Sequence, residues 1–210
     1  MEISFIPRIF ALSITLRELF EGLKIMDLEK DWKHYPVIRL DMSRGGANAG
    51  TLRSYLNLQF KEYENKYDIT PDSKAQLADR FNGIITAANN QTGLQAVILI
   101  DEYDAPLQHS WKTPQHDECT EVYREVFAIL KADDKYERFV FITGITKFTQ
   151  ISLFSVLNNL ANISFDAPYA ALCGITKDEI KENFYARNQD DGRTEGLDRR
   201  RNHRAVESLL

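Results

Sequence analysis

Residues 97–102, Val-Ile-Leu-Ile-Asp-Glu, constrain the fold of this chain more than any other segment. Four consecutive aliphatic residues suit a strand that is covered on both faces, and such strands are typical of parallel sheets flanked by helices. Parallel strands present their ligand-binding side chains at their carboxyl ends. Asp101 and Glu102 fall at that end, so the segment predicts two adjacent carboxylates at the edge of a parallel sheet.

Strand-like and helix-like patterns alternate along the rest of the chain. Strands are predicted at three places: residues 37–41, 96–101 and 139–143. Helices are predicted at three others: residues 52–67, 74–89 and 117–132. Thr51 is the expected cap of the first helix, and the third is expected to bury Val122, Val126, Ile129 and Leu130. Strands that alternate with helices argue for a parallel sheet with right-handed crossovers, so the predicted fold is α/β.

Composition and charge narrow the classes of protein. With 210 residues, 43% of them hydrophobic, the chain can build one large or two small domains. A net charge of −5 gives no sign of a nucleic-acid or anionic-membrane partner. The two cysteines, Cys119 and Cys173, lack metal-ligand spacing and suit a reducing compartment. Neither a signal peptide nor a membrane span is expected, and we expect a cytoplasmic location.

The composition changes near the carboxyl terminus. From Arg187 onward there are six arginines and no lysine, and apolar periodicity stops. We therefore divide the chain into a domain at residues 1–186 and an Arg-rich tail at residues 187–210, which we expect to be disordered. A nucleic-acid-binding arm is the alternative, but no aromatic residues alternate with the arginines and acids interrupt them.

A set of motifs follows in a fixed order along the chain: Leu-Arg-Glu-Leu-Phe-Glu-Gly at residues 16–22, Asp-Glu-Tyr-Asp-Ala-Pro-Leu at 101–107, Phe-Ile-Thr-Gly-Ile-Thr-Lys-Phe at 141–148, Leu-Phe-Ser-Val-Leu-Asn-Asn-Leu at 153–160 and Leu-Cys-Gly-Ile-Thr at 172–176. This set resembles the bacterial AAA-ATPase-like domain family over roughly residues 15–184. The resemblance implies a P-loop NTPase-like, three-layer α/β/α domain with a mostly parallel sheet that binds ATP and Mg²⁺.

The resemblance also assigns roles to individual residues. Asp101 would bind Mg²⁺ directly or through water, and Glu102 would be the general base for hydrolysis. The alternative for both is a strand-end acid pair that caps a helix or lies in solvent. Thr143 stands where related ATPases sense the γ-phosphate, with a threonine that satisfies its own backbone as the alternative. Lys147 would supply charge to a bound phosphate, and Asp104 would support the acid pair or cap a turn.

The family's first strand and Gly-Lys-Ser/Thr phosphate loop are not found in these 210 residues. No lysine precedes Lys24, and the expected place reads Ile-Phe-Ala-Leu-Ser at residues 9–13. The Gly-rich run at residues 45–50 lacks lysine and is expected to be a connecting loop. We interpret the chain as a truncated or frame-shifted copy of the family domain, with weak or absent ATP turnover.

Three functions compete at this point. The first is an ATPase-like, nucleotide-binding domain with impaired hydrolysis. The second is a non-catalytic protein-interaction module derived from an ATPase core, which would bind a protein partner or a full-length paralogue. The third, a nuclease, is suggested by the family's companion domain, but no paired acid–lysine core follows Phe184. A metal site built on His109 and His116 is disfavoured because their spacing matches no zinc motif.

Overall fold

The computed structural model describes residues 20–22, 25–28, 30–72, 74–145, 160–164 and 166–169. Two compact units divide the chain between Leu160 and Ala161. In the second unit the structure describes a 3₁₀ turn at Ala167–Tyr169. The predicted boundary at residue 187 and the motif at residues 172–176 lie outside the described residues, as do most of the motifs at residues 16–22 and 153–160.

The described part of the first unit is an α/β fold. Its elements, in chain order, are α1 (Ile25–Leu28), β1 (Val37–Asp41), α2 (Ala49–Lys66), α3 (Leu77–Thr92), β2 (Ala96–Asp101), α4 (Ala105–Ser110), α5 (His116–Phe127), α6 (Ile129–Ala132), a 3₁₀ turn (Asp134–Tyr136) and β3 (Glu137–Ile142). The strands lie in the order β1-β2-β3, and both pairs are parallel. The predicted α/β fold with a parallel sheet is confirmed. None of the described helices is both long and apolar enough to cross a membrane.

The strands match their predicted positions more closely than the helices do. β1 and β2 have the predicted bounds, whereas β3 begins two residues early at Glu137. The predicted cap at Thr51 was wrong, because the side chain of Asn48 accepts the Thr51 N–H at 2.9 Å and starts α2 at Ala49. α3 starts at Leu77 rather than residue 74, with Gln76 as its cap.

The predicted helix at residues 117–132 was also wrong in detail. It is divided at Ala128 into α5 and α6. Val122, Val126 and Leu130 are buried as expected, but Ile129 is only partly buried. α4, which follows the acid pair, was not predicted.

The core lies between one face of the sheet and helices α2, α3 and α5. Every residue of β2 is buried, as the unbroken aliphatic run predicted. On α2 the buried residues recur every fourth position, which forms one stripe facing the core: Leu52, Leu56, Phe60 and Glu64. Phe60 stacks on Phe81 of α3 with a centroid distance of 5.4 Å. The stripe on α2 therefore packs into the core, and the phenylalanine pair joins α2 to α3.

Two side chains of α2 pair with the outer edge of β1. The Tyr63 hydroxyl accepts the Arg39 N–H at 2.6 Å and donates to the Arg39 carbonyl at 3.0 Å. One turn earlier, Gln59 accepts the Asp41 N–H at 2.8 Å and donates to the Asp41 carbonyl at 3.0 Å. These bonds satisfy edge groups that would otherwise be unpaired, and they fix the backbone of two charged residues of β1.

Candidate functional site

The carboxyl ends of the parallel strands meet at one edge of the sheet and collect polar side chains there. Asp41, the last residue of β1, is in register with Asp101, the last residue of β2. Thr143 directly follows β3, whose Ile142 is in register with Ile100. The structure therefore brings Asp101 and Thr143 together, as two adjacent parallel strands require.

Asp101 is held from two sides. Its side chain is only 4% exposed. Its Oδ1 accepts the Thr143 hydroxyl at 2.6 Å, and its Oδ2 accepts Nη2 of Arg39 at 3.0 Å. A buried carboxylate needs such partners because an unpaired buried charge is strongly destabilising. Both carboxylate oxygens are thus bound by protein groups, and the negative charge is balanced by Arg39.

Sequence reasoning did not single out Arg39, which lies in the middle of β1. Its Nη2 is also 3.9 Å from Oδ2 of Asp41, and its side chain is 28% exposed. Side-chain alternation places Arg39 and Asp41 on one face of β1, which is a signal that the sequence carries. The register of β1 with β2, which the sequence does not specify, then places Asp101 on that same face.

Glu102 has a different environment from Asp101. It is exposed, and its φ of +50° lies in the left-handed region that non-glycine residues seldom adopt. Its backbone N–H donates to the Thr143 hydroxyl oxygen at 3.4 Å. β2 therefore ends at the buried Asp101, and the next residue, Glu102, is exposed to solvent. Glu102 is therefore the carboxylate of the pair that water can reach.

Hydrogen bonds join the loop that follows β2 to the loop that follows β3. The Tyr103 N–H donates to the Thr143 carbonyl at 3.0 Å. Asp104 is 1% exposed, and its Oδ2 accepts the Ile145 N–H at 3.1 Å. A Cβ atom on Gly144 would lie 2.5 Å from both Asp104 Oδ1 and Tyr103 Cε1, so only glycine allows this approach. Asp104 thus fixes the position of the loop after Thr143.

Two buried tyrosines, Tyr103 and Tyr123, lie next to the acid pair. Burial, with a contribution from Asp104, raises the pKa of Tyr103 well above its ordinary value. Burial likewise raises the pKa of Tyr123, whose hydroxyl donates to the Tyr103 carbonyl. Both phenols therefore stay neutral over the ordinary pH range, and Tyr123 anchors α5 to the residue that follows Glu102.

Other residues considered from the sequence lie elsewhere. Lys147 lies outside the described residues. The run at residues 45–50 joins β1 to α2, and Asn48 within it caps that helix. His116 Nδ1 lies 3.2 Å from the hydroxyl of Ser110, which is fully buried. Within the described residues, no group of three His, Cys, Asp or Glu side chains is placed to hold a metal.

The oxygen donors at the sheet edge suit Mg²⁺ when phosphate oxygens complete its coordination. Mg²⁺ is commonly bound through one or two carboxylates together with water and substrate phosphates. Asp101 offers one carboxylate of this kind at the end of β2.

The three-strand parallel sheet and its flanking helices are consistent with a P-loop-like α/β fold. The chain belongs to the AAA-ATPase-like family, whose model, described as "Predicted AAA-ATPase", matches residues 3–154. The match starts and ends earlier than the residues 15–184 inferred from the motifs.

One curated protein is similar to the chain. A protein of Azotobacter chroococcum mcd 1, described as an uncharacterized protein in the vnfD 5' region, is 34% identical over 174 residues. The aligned part covers 79% of this chain and 32% of the relative, so the chain spans about a third of that protein's length. No solved structure matches the chain.

Proposed function

We propose that this chain is a nucleotide-binding, ATPase-like domain that binds Mg²⁺ and ATP at the carboxyl edge of its sheet and hydrolyses ATP weakly. The observation that supports this most is the contrast between Asp101 and Glu102, one carboxylate buried and hydrogen-bonded, the next exposed. A metal-binding acid must be held in place, whereas a base that acts on water must be accessible.

Each residue has a distinct part in this proposal. Asp101 would hold Mg²⁺ directly or through water, and the metal would supply positive charge to the phosphate oxygens. Glu102 would orient the attacking water and accept its proton. Thr143 has one hydroxyl proton, which it donates to Asp101, so we assign it to positioning the carboxylate rather than to contacting the γ-phosphate.

Phosphate binding is the weak part of this site. In phosphoryl transfer, backbone N–H groups and a lysine of the phosphate loop normally supply much of the electrostatic stabilisation. The 210 residues contain no Gly-Lys-Ser or Gly-Lys-Thr sequence. We therefore expect nucleotide binding to be modest and turnover slow.

Thermal unfolding tests nucleotide binding. Mg²⁺–ATP should raise the Tm of the wild-type chain, because a ligand that binds only the folded state stabilises it. Asp101→Asn should abolish this rise, measured against the ligand-free Tm of the same variant. Asp117→Asn, at an exposed position in the first turn of α5, is the matched control and should keep it. If Mg²⁺–ATP does not change the Tm of the wild-type chain, the proposal is wrong.

Hydrolysis tests the role of Glu102 separately. We expect slow phosphate release from the wild type and a further loss of about 10²- to 10⁴-fold in Glu102→Gln, the range for removal of a general base. The Mg²⁺–ATP thermal shift should survive this substitution. Rapid turnover by the wild type would show that weak hydrolysis is the wrong expectation.

One observation favours the non-catalytic alternative, a protein-interaction module. Asp101 accepts hydrogen bonds from both Arg39 and Thr143, so protein groups by themselves satisfy both oxygens of its carboxylate. A module of this kind would bind its protein partner, or a full-length paralogue, equally well with and without Mg²⁺–ATP. Dependence of that binding on nucleotide would count against the alternative.

A further inference from the structure

The guanidinium of Arg39 is ion-paired with Asp101, the residue proposed to bind the metal. Nη2 of Arg39 is 3.0 Å from Oδ2 of Asp101, while the other oxygen, Oδ1, is taken by the Thr143 hydroxyl. A cation that approaches this carboxylate therefore meets one of these two groups at either oxygen. The Thr143 hydroxyl oxygen also accepts the Glu102 N–H at 3.4 Å, so the contact at Oδ1 is held from a second side.

The Arg39 side chain is less firmly held than its backbone. Tyr63 fixes the backbone N–H and carbonyl of Arg39 through two hydrogen bonds. The side chain as a whole is 28% exposed, its Nη2 lies 3.9 Å from Oδ2 of Asp41, and its Nε is buried with no hydrogen-bond partner among the described residues. The contacts that fix the β1 backbone are thus separate from the ion pair with Asp101, and Nε is a donor for a further acceptor.

We propose that Arg39 is a counter-ion that competes with Mg²⁺ for Asp101. This inference rests on the proposed function, whose site it regulates. Two cations on one carboxylate oxygen repel each other, so Mg²⁺ alone binds poorly while Arg39 is in place. Phosphate oxygens relieve that repulsion, because they complete the metal's coordination and accept hydrogen bonds from a guanidinium. The site therefore favours the metal–nucleotide complex over the free metal.

Mg²⁺ alone is the probe that tests this inference. Arg39→Gln leaves the buried Asp101 charge uncompensated, so its Tm should fall in metal-free buffer. Millimolar MgCl₂ without nucleotide should then restore much of the loss, and the Mg²⁺ affinity should rise by about tenfold or more over wild type because no ion pair has to be broken. The double variant Arg39→Gln/Asp101→Asn should lose this response.

A matched control separates this effect from general salt screening. Arg53→Gln removes the ion pair between Arg53 and Glu125, whose closest atoms are 2.7 Å apart on α2 and α5. It should respond to MgCl₂ as the wild type does, and NaCl at equal ionic strength should restore neither variant. An Arg39→Gln chain that responds to Mg²⁺ no more than the wild type contradicts the inference.

The two proposals fail in different ways. If Mg²⁺–ATP binds the wild type through Asp101 but Arg39→Gln gains no affinity for Mg²⁺, the proposed function stands and the counter-ion role is wrong. If Arg39→Gln gains Mg²⁺ affinity while no chain binds ATP, the counter-ion role stands and nucleotide binding is wrong.

A second measurement applies if Arg39→Gln does not fold. The ¹⁵Nε resonance of Arg39 in the wild type, identified by its loss in Arg39→Lys, should shift on saturation with MgCl₂ or with Mg²⁺–ADP. A resonance that does not move at saturation would show that Arg39 stays on Asp101, and this would contradict the inference.

Discussion

At the scale of the residue, Gly144 is the position where the loops after β2 and β3 come closest. Gly144→Ala would place a methyl group 2.5 Å from Asp104 Oδ1 and from the Tyr103 ring, so we expect the free energy of unfolding to fall by about 1–3 kcal/mol. Urea denaturation measures this change.

Gly83 offers a matched control for that substitution. It lies inside α3, and no atom outside its own helix backbone lies within 4 Å of the Cβ position. Gly83→Ala should stabilise the chain by about 0.5–1 kcal/mol, because alanine loses less conformational entropy in a helix than glycine does. Equal effects at the two positions would refute the close approach at Gly144.

Glu137 is a second residue with a specific consequence, here for pH dependence. Burial raises its pKa from 4.5 to about 8, with repulsion from Asp133 and Asp134 adding to the effect. Its Oε1 is buried with no hydrogen-bond partner among the described residues. Between these pH values the folded chain keeps a proton that the unfolded chain has lost. The contribution of Glu137 to the free energy of unfolding therefore falls as pH rises from about 4.5 to about 8.

Glu137→Gln removes that titration. The difference in free energy of unfolding, variant minus wild type, should therefore be larger at pH 8 and above than at pH 4.5 and below. Urea denaturation at a series of pH values compares the two chains. A difference that is constant across the series would contradict the raised pKa.

At the scale of the element, the pairing of α2 with the edge of β1 predicts a local effect. Tyr63→Phe removes the hydroxyl that serves both the N–H and the carbonyl of Arg39, and we expect a loss of about 1–3 kcal/mol in the free energy of unfolding. Hydrogen exchange should show faster exchange of the Arg39 amide.

Tyr55→Phe, on the same helix, is the control for the edge pairing. Within the described residues its hydroxyl makes no hydrogen bond, and Tyr55 is only partly buried. The Arg39 amide should exchange at the wild-type rate in this variant. Similar exchange in both tyrosine variants would mean that the Tyr63 hydroxyl does not protect the edge.

The same elements show which parts of the fold the sequence specifies. Two strands were predictable from their residue patterns. Val37–Asp41 alternates between more and less buried positions, and Ala96–Asp101 is continuously buried. Helix starts were not, because Thr51 and Asn48 are both good caps and only the folded loop decides between them. α4 was not predicted, although Pro106 lies in its first turn, where proline is well suited.

At the scale of the whole molecule, the site depends on relations between strands that are distant in sequence. Parallel pairing of β2 with β3 explains why Asp101 and Thr143 lie together. The sequence did not reveal the Arg39–Asp101 ion pair, because a shift of one residue in register would move Arg39 to the other face. The family match over residues 3–154 is consistent with the fold. The ATPase activity that we propose for this chain rests on Asp101, Glu102 and Thr143 at the strand ends.

Calorimetric titration of ATP into the folded chain, with and without Mg²⁺, tests the central claim most directly. We predict binding that requires Mg²⁺, that is lost in Asp101→Asn and that is retained in Asp117→Asn. Binding of equal strength in Asp101→Asn, or no binding to the wild-type chain at saturating Mg²⁺, would contradict the account of Asp101 as the metal-binding residue of a nucleotide site.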